Sequence, residues 1–333
     1  MKKAISLCAA ALLLLSVLSG CGGNTEVPAT DDKPTVICTV FPQYDWTRKI
    51  VGYSNGVDVK LLVSNGVDMH SFQPSTADMV ALSDCDMLVY VGGESDTWVD
   101  DALKNASNKD MITVNMMDIL GGALKEEEIV EGMEAEEHDH DHDHEHEHED
   151  EEAPEYDEHV WLSLKNAAVL CSAISDALSE IDAENADTYA ANAERYIGEL
   201  NALHDEYLDA VSGAELKTLI FADRFPFRYL TDDCGLEYFA AFAGCSADTE
   251  ASFETVIFLA DKVDELNAPA ICIIDGSDGK IAETVASNTA NPDIPILTLD
   301  SMQSVTSEDI SGGCTYLGIM HENLSTIKTA LGV

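Results

Sequence analysis

The chain predicts an α/β protein: two β/α domains with parallel four-stranded sheets, joined by a long rigid helix. Three observations carry this. In both halves, short apolar runs alternate with amphipathic segments, the order that gives a parallel sheet with right-handed crossovers. Between the halves, Glu184–Val211 keeps helical spacing through Tyr189, Ala193, Tyr196, Ile197, Leu200, Leu203, Tyr207 and Leu208, enough for a helix of about 42 Å. At 333 residues there is room for two ordinary domains.

Taken in order, Thr35–Val40 reads as a buried strand, followed by a helix through Trp46 to Val51 and a second strand over Val57–Leu62. A loop, Ser64–His70, leads to Ser75-Thr-Ala-Asp78, a capping-box-like helix start. Met87–Val91 is the third strand, Trp98–Asn105 a helix and Met111–Asn115 the fourth strand. Leu164–Ile181 places Ala167, Leu170, Ile174, Ala177 and Leu178 on one helix face. In the second half, strands are expected at Thr218–Phe221, Tyr238–Ala243, Ala270–Ile274 and Ile294–Leu299. Asp223-Arg224-Phe225-Pro226 is read as a turn into a short helix around Phe227–Leu230. Further helices are expected at Phe253–Leu266, Ile281–Ser287 and Tyr316–Leu331.

The first residues divide differently. Lys2 and Lys3 precede an apolar stretch from Ala4 to Leu18, too short to span a bilayer comfortably. Leu18-Ser19-Gly20-Cys21 then resembles a bacterial lipobox, with Cys21 as the lipidated residue. The expected organisation is a signal peptide over 1–20, a lipidated tether over 21–33 and a first domain over 34–182 that includes an acidic loop, 122–158. A linking helix over 183–212 and a second domain over 213–333 follow. Acyl chains on Cys21 would anchor an extracytoplasmic body to the bacterial cell membrane. Nine cysteines are present, seven of them beyond Cys21. Cys38, Cys85, Cys171 and Cys272 sit in apolar runs as small core residues, and disulfides Cys234–Cys245 or Cys272–Cys314 stay open.

Formal net charge is −46. That argues against nucleic acid or an anionic membrane surface as a partner. Much of the charge lies in Glu126–Glu158, where His138, His140, His142, His144, His146 and His148 alternate with Asp or Glu. Neither alternating set is apolar, so no face there can be buried and a mobile loop is expected. Imidazole and carboxylate together are ligands for borderline divalent cations, zinc above all. Six spaced histidines mark an auxiliary, low-affinity metal collector, not the tight site, because a floppy chain must be ordered to bind.

The tight site is expected where the strands end, since open α/β sheets bind ligands beyond their carboxyl edges. His70 follows the second strand, His159 lies past the acidic loop, Asp223 follows the first strand of the second half and Asp300 ends the last. These four are the candidate ligands. A family resemblance supports them. Gly66-Val-Asp-Met-His70-Ser-Phe-Gln-Pro74-Ser75-Thr-Ala-Asp78, Asp157-Glu-His159-Val-Trp161 and Leu299-Asp300-Ser301 resemble, in order, motifs of the substrate-binding lipoproteins of bacterial ABC importers of the zinc and manganese type. The resemblance covers Pro34–Val333, and an acidic histidine-rich insertion before the second ligand is a mark of the zinc-type members. It implies capture of zinc, with manganese as the alternative, outside the membrane, and delivery to an ABC transporter permease by a monomer.

One position departs from that pattern. Three residues before the Phe227-Arg228-Tyr229 element, where the resemblance implies a His or Glu ligand, stands Arg224. A guanidinium stays protonated and cannot ligate a cation, so Asp223 is taken in its place. An anchored zinc hydrolase is a second class of function. No HExxH, GxSxG, P-loop or Rossmann glycine pattern is present to support it. A storage or adhesion lipoprotein without a transporter is a third.

Overall fold

A computed structural model describes residues 33–54, 56–64, 66–134, 155–246 and 250–333. The six alternating histidines and Cys21 lie outside the described residues. Among the described residues, no helix is long and apolar enough to cross a membrane.

The first half runs β1 (Thr35–Cys38), α1 (Phe41–Val51), β2 (Asp58–Leu61), α2 (Thr76–Asp84), β3 (Met87–Tyr90), α3 (Thr97–Asn105), β4 (Ile112–Asn115) and α4 (Met116–Leu120). Its four strands pair in parallel in the order β2-β1-β3-β4. After α5 (Leu164–Ile181) and α6 (Ala186–Gly213) come β5 (Thr218–Phe225), α7 (Arg228–Cys234), β6 (Glu237–Ala243), α8 (Phe253–Leu266), β7 (Ile271–Ile274), α9 (Lys280–Ser287), β8 (Ile296–Leu299), α10 (Ser307–Ser311) and α11 (Tyr316–Leu331). The second sheet is again parallel, in the order β6-β5-β7-β8. Both have the expected composition: the central β3 is buried along its whole length, as a strand covered on both faces must be.

Helix starts follow local chemistry. At the start of α2, the Asp78 amide donates to Ser75 Oγ at 3.3 Å and the Ser75 amide to Asp78 Oδ2 at 2.8 Å, the reciprocal capping box the spacing predicts. Ser163 caps α5 and Ser252 caps α8 by a single side-chain bond each, without the reciprocal partner. The 28-residue α6 touches both halves. Asn192 Nδ2 donates to the Ile50 carbonyl at 2.9 Å, and Tyr207 Oη to the Met320 carbonyl at 2.5 Å. One apolar core runs through both sheets, holding Trp46 and Trp161 with Tyr196, Tyr207, Phe221 and Tyr316.

Three expectations are corrected. Asp223, Arg224 and Phe225 continue β5 instead of turning, with a register shift between Phe221 and Arg224. All seven cysteines among the described residues are free, so neither candidate disulfide is formed. The flanks of the acidic loop are held in place: Glu126 and Tyr156 form an antiparallel bridge, and Glu134 donates its amide to the Ala241 carbonyl at 2.9 Å. Asp157 and Glu158, inside the stretch read as unburiable, are 2% and 3% exposed. Polar partners from other elements permit this, as the site shows.

Candidate metal centre

The carboxyl edges of both sheets open onto one cleft of about 560 Å3. Asp68 and His70 reach it from the loop after β2, Asp223 and Arg224 from the end of β5. Cys245 enters after β6, Asp275 after β7, and Ser301 and Ser304 after β8.

His159 is fully buried on a short helical turn, Val160–Leu162, which follows it. Asp157 Oδ1 accepts from the His159 backbone amide at 2.7 Å and lies 2.9 Å from its Nδ1. Ser95 Oγ lies 2.7 Å from His70 Nδ1. Both rings are therefore held by Nδ1, and their Nε2 atoms face each other at 3.3 Å. Two zinc–nitrogen bonds of 2.0–2.1 Å at a tetrahedral angle put the nitrogens about 3.3 Å apart. The imidazoles are already spaced for one cation, each oriented by an outer partner as metal-ligating histidines are.

Electrostatics prepare the pair. Burial and the neighbouring His159 push His70 down to about 4. Burial alone would push His159 down too, but the Asp157 carboxylate outweighs it and raises it. His70 is thus neutral at ordinary pH, while the Asp157 carboxylate favours the protonated form of His159. Glu158 lies alongside, accepting the Ser95 amide at 2.9 Å through Oε1 while its buried Oε2 has no partner. Its approach needs Gly93, where a Cβ would come 2.2 Å from the carboxylate.

Of the four predicted ligands, the structure brings His70 and His159 together. The side chain grouped with them at ligand distance is Cys245, the three donor atoms lying within 4.8 Å of one another. Asp300 is not in that group. Its Oδ1 accepts from the Met302 amide at 2.7 Å, and burial with the Asp275 charge pushes it up to about 7. Asp223 lines the cleft but turns Oδ1 onto the Arg224 amide at 2.9 Å, leaving Oδ2 buried without a partner. Asp275 is occupied by Ser301 and Ser304 hydroxyls and the Ser301 amide.

Arg224 reaches across to the other half, where its Nη2 meets Asp68 Oδ2 at 2.8 Å. Asp68 Oδ1 accepts from the His70 amide at 3.0 Å. Burial works against the Asp68 charge, yet Arg224 and this amide hold its carboxyl below the usual range. The arginine is thereby neutralised beside the imidazoles.

A family model described as ZnuA, the periplasmic zinc-uptake complex component A, matches residues 36–330. The chain belongs to this family. The high-affinity zinc uptake system protein ZnuA of Bacillus subtilis is 31% identical over 95% of this chain and 94% of its own length. The zinc-binding lipoprotein AdcA of Streptococcus pneumoniae is 29% identical over 98% of the chain. This chain spans only 57–60% of the length of the streptococcal AdcA relatives it matches. The Zn(II)-bound ZnuA-like domain of S. pneumoniae AdcA superposes with a TM-score of 0.69 at 26% identity, covering 90% of this chain and all of that one. The family is a metal-uptake component and not an enzyme family, so the hydrolase alternative is set aside.

Proposed function

We propose that this protein captures zinc outside the cytoplasmic membrane and hands it to an ABC permease, held to the membrane by lipid on Cys21. The observation that carries the reading is the His70–His159 pair, whose Nε2 atoms stand 3.3 Å apart with both Nδ1 atoms engaged. A second-half carboxylate would complete the site: Asp300 turning off the Met302 amide, or Asp223 through its unpartnered oxygen. Zinc accepts imidazole and carboxylate in a four-coordinate site. Relatives named for zinc and the alternating histidines favour it over manganese. Those histidines act as a low-affinity collector.

Calorimetric titration separates the two kinds of site. Met133 is 9% exposed and belongs to the core, so the tract is best removed as 135–152. The shortened protein is expected to keep one tight zinc site, and His159→Ala in it to abolish that site. Loss of tight binding with the tract alone would overturn the reading.

A further inference from the structure

We infer that Cys245 is a metal ligand, its sulfur closing a His70–His159–Cys245 centre from the second half of the molecule. This rests on the metal-capture reading above and names the donor set. The family pattern places a ligand at 224, and here that position carries a guanidinium committed to Asp68. Besides the carboxylates, which stand outside the group as the cleft is built, the second half offers one donor already near the two imidazoles, and β6 delivers it at its carboxyl end.

Independent features aim Cys245 at the pair. Its amide donates to Glu127 Oε1 at 3.0 Å, so the flank of the acidic loop fixes the turn that carries it. The preceding Gly244 packs against both halves: a Cβ there would lie 2.9 Å from the Phe225 carbonyl and 3.3 Å from His159 Cε1. The three donor atoms fit within 4.8 Å. Zinc–sulfur and zinc–nitrogen bonds at a tetrahedral angle put sulfur and nitrogen about 3.6 Å apart, so binding needs a closing shift of at most about 1 Å. As the metal–sulfur bond forms, the thiol proton leaves to solvent. A set of two imidazoles and one thiolate leaves a fourth position for water or a carboxylate and disfavours manganese, a hard ion.

Cobalt(II) added below one equivalent to the metal-free full-length protein tests this. A thiolate ligand gives a sulfur-to-cobalt charge-transfer band in the near ultraviolet, which the cysteine-free histidine tract cannot produce. The band is expected in the wild type and absent in Cys245→Ser, with zinc binding weakened on the order of 100-fold, at least what an outer partner of a ligand costs. A tight site that His159→Ala removes, but that shows no such band in the wild type, would overturn the cysteine and leave zinc capture standing. A band that survives Cys245→Ser would also overturn it, pointing to another thiol. Absence of any tight site would sink both readings.

Discussion

His159 is tightly held behind the cleft, fully buried with both ring nitrogens engaged and its ring edge-on to Trp161 at 5.3 Å. Asp157 fixes both its backbone and its Nδ1. Removing that carboxylate frees the ring to turn and lowers the basicity of Nε2. Asp157→Ala is therefore predicted to weaken zinc binding about 10–100-fold, read by competition with a chromophoric chelator on the protein lacking 135–152. An unchanged affinity would mean that packing against Trp161 alone aims the ring. Both histidines could be named from the sequence, His70 because it follows a strand of a β/α sheet and His159 because it lies just past the histidine-rich stretch in a motif that resembles the family's. Cys245 could not be. It lacks any metal-binding spacing, its companions come from the other half of the chain, and an odd thiol in an exported protein reads first as half of a disulfide. The neutralisation of Arg224 was unreadable for the same reason, since its partner Asp68 lies across the cleft.

At the scale of elements, the long periodic helices were the most legible. The limits of α5, α8 and α11 follow from an apolar stripe that begins behind Ser163, Ser252 or Thr315, each a side-chain cap. Where the pattern is short, sequence says less: α4 and α10 have five residues each, too few to show a period. Pro226 suggested that β5 had already ended, yet the strand runs on to Phe225, its last residues pairing with β6 past a register shift. Packing between helices also rests on a buried carboxylate that pattern could not reveal. Asp45 on α1 accepts the Tyr316 amide at the start of α11 at 3.0 Å. Burial raises its pKa above 3.8 despite that bond and the nearby Lys49 and Arg48. A carboxyl raised in the native state contributes stability that is full below its unfolded value and is lost as pH rises through the raised one. Asp45→Asn keeps the acceptor without the charge. Melting temperatures of variant and wild type should then nearly coincide near pH 4 and diverge in favour of the variant toward pH 8. A gap that stays constant with pH would show that Asp45 does not titrate in this range.

For the whole molecule, the two sheets share one main interior, although each also keeps a smaller cluster of its own, around Leu82 and Leu88 in the first half and around Val256 and Leu259 in the second. The main core passes from Val36 and Trp46 through Trp161 and Leu200 to Phe221, Tyr316 and Leu331. Hydrogen bonds cross the same seam, from Trp161 Nε1 to the Ser301 carbonyl at 2.9 Å and from Tyr316 Oη to the Trp161 carbonyl at 2.6 Å. Wide opening of the cleft would expose this shared apolar surface, at about 25 cal/mol per Å2, and would bend or break α6, which is bonded to both halves. Metal entry should therefore move side chains and the cleft loops while the two sheets keep their relation. A body of this size has a radius of gyration of about 19 Å. On the protein lacking 135–152, solution scattering with and without one equivalent of zinc should give values that differ by well under about 1 Å, the range of pre-organised complexes. A contraction of several ångströms would mean that the halves swing apart when empty despite the continuous core. Release to a permease would then be a matter of spontaneous opening. With no such contraction, the proposed hand-over to a permease would have to act on the loops that carry His70 and Cys245 and not on the scaffold beneath them.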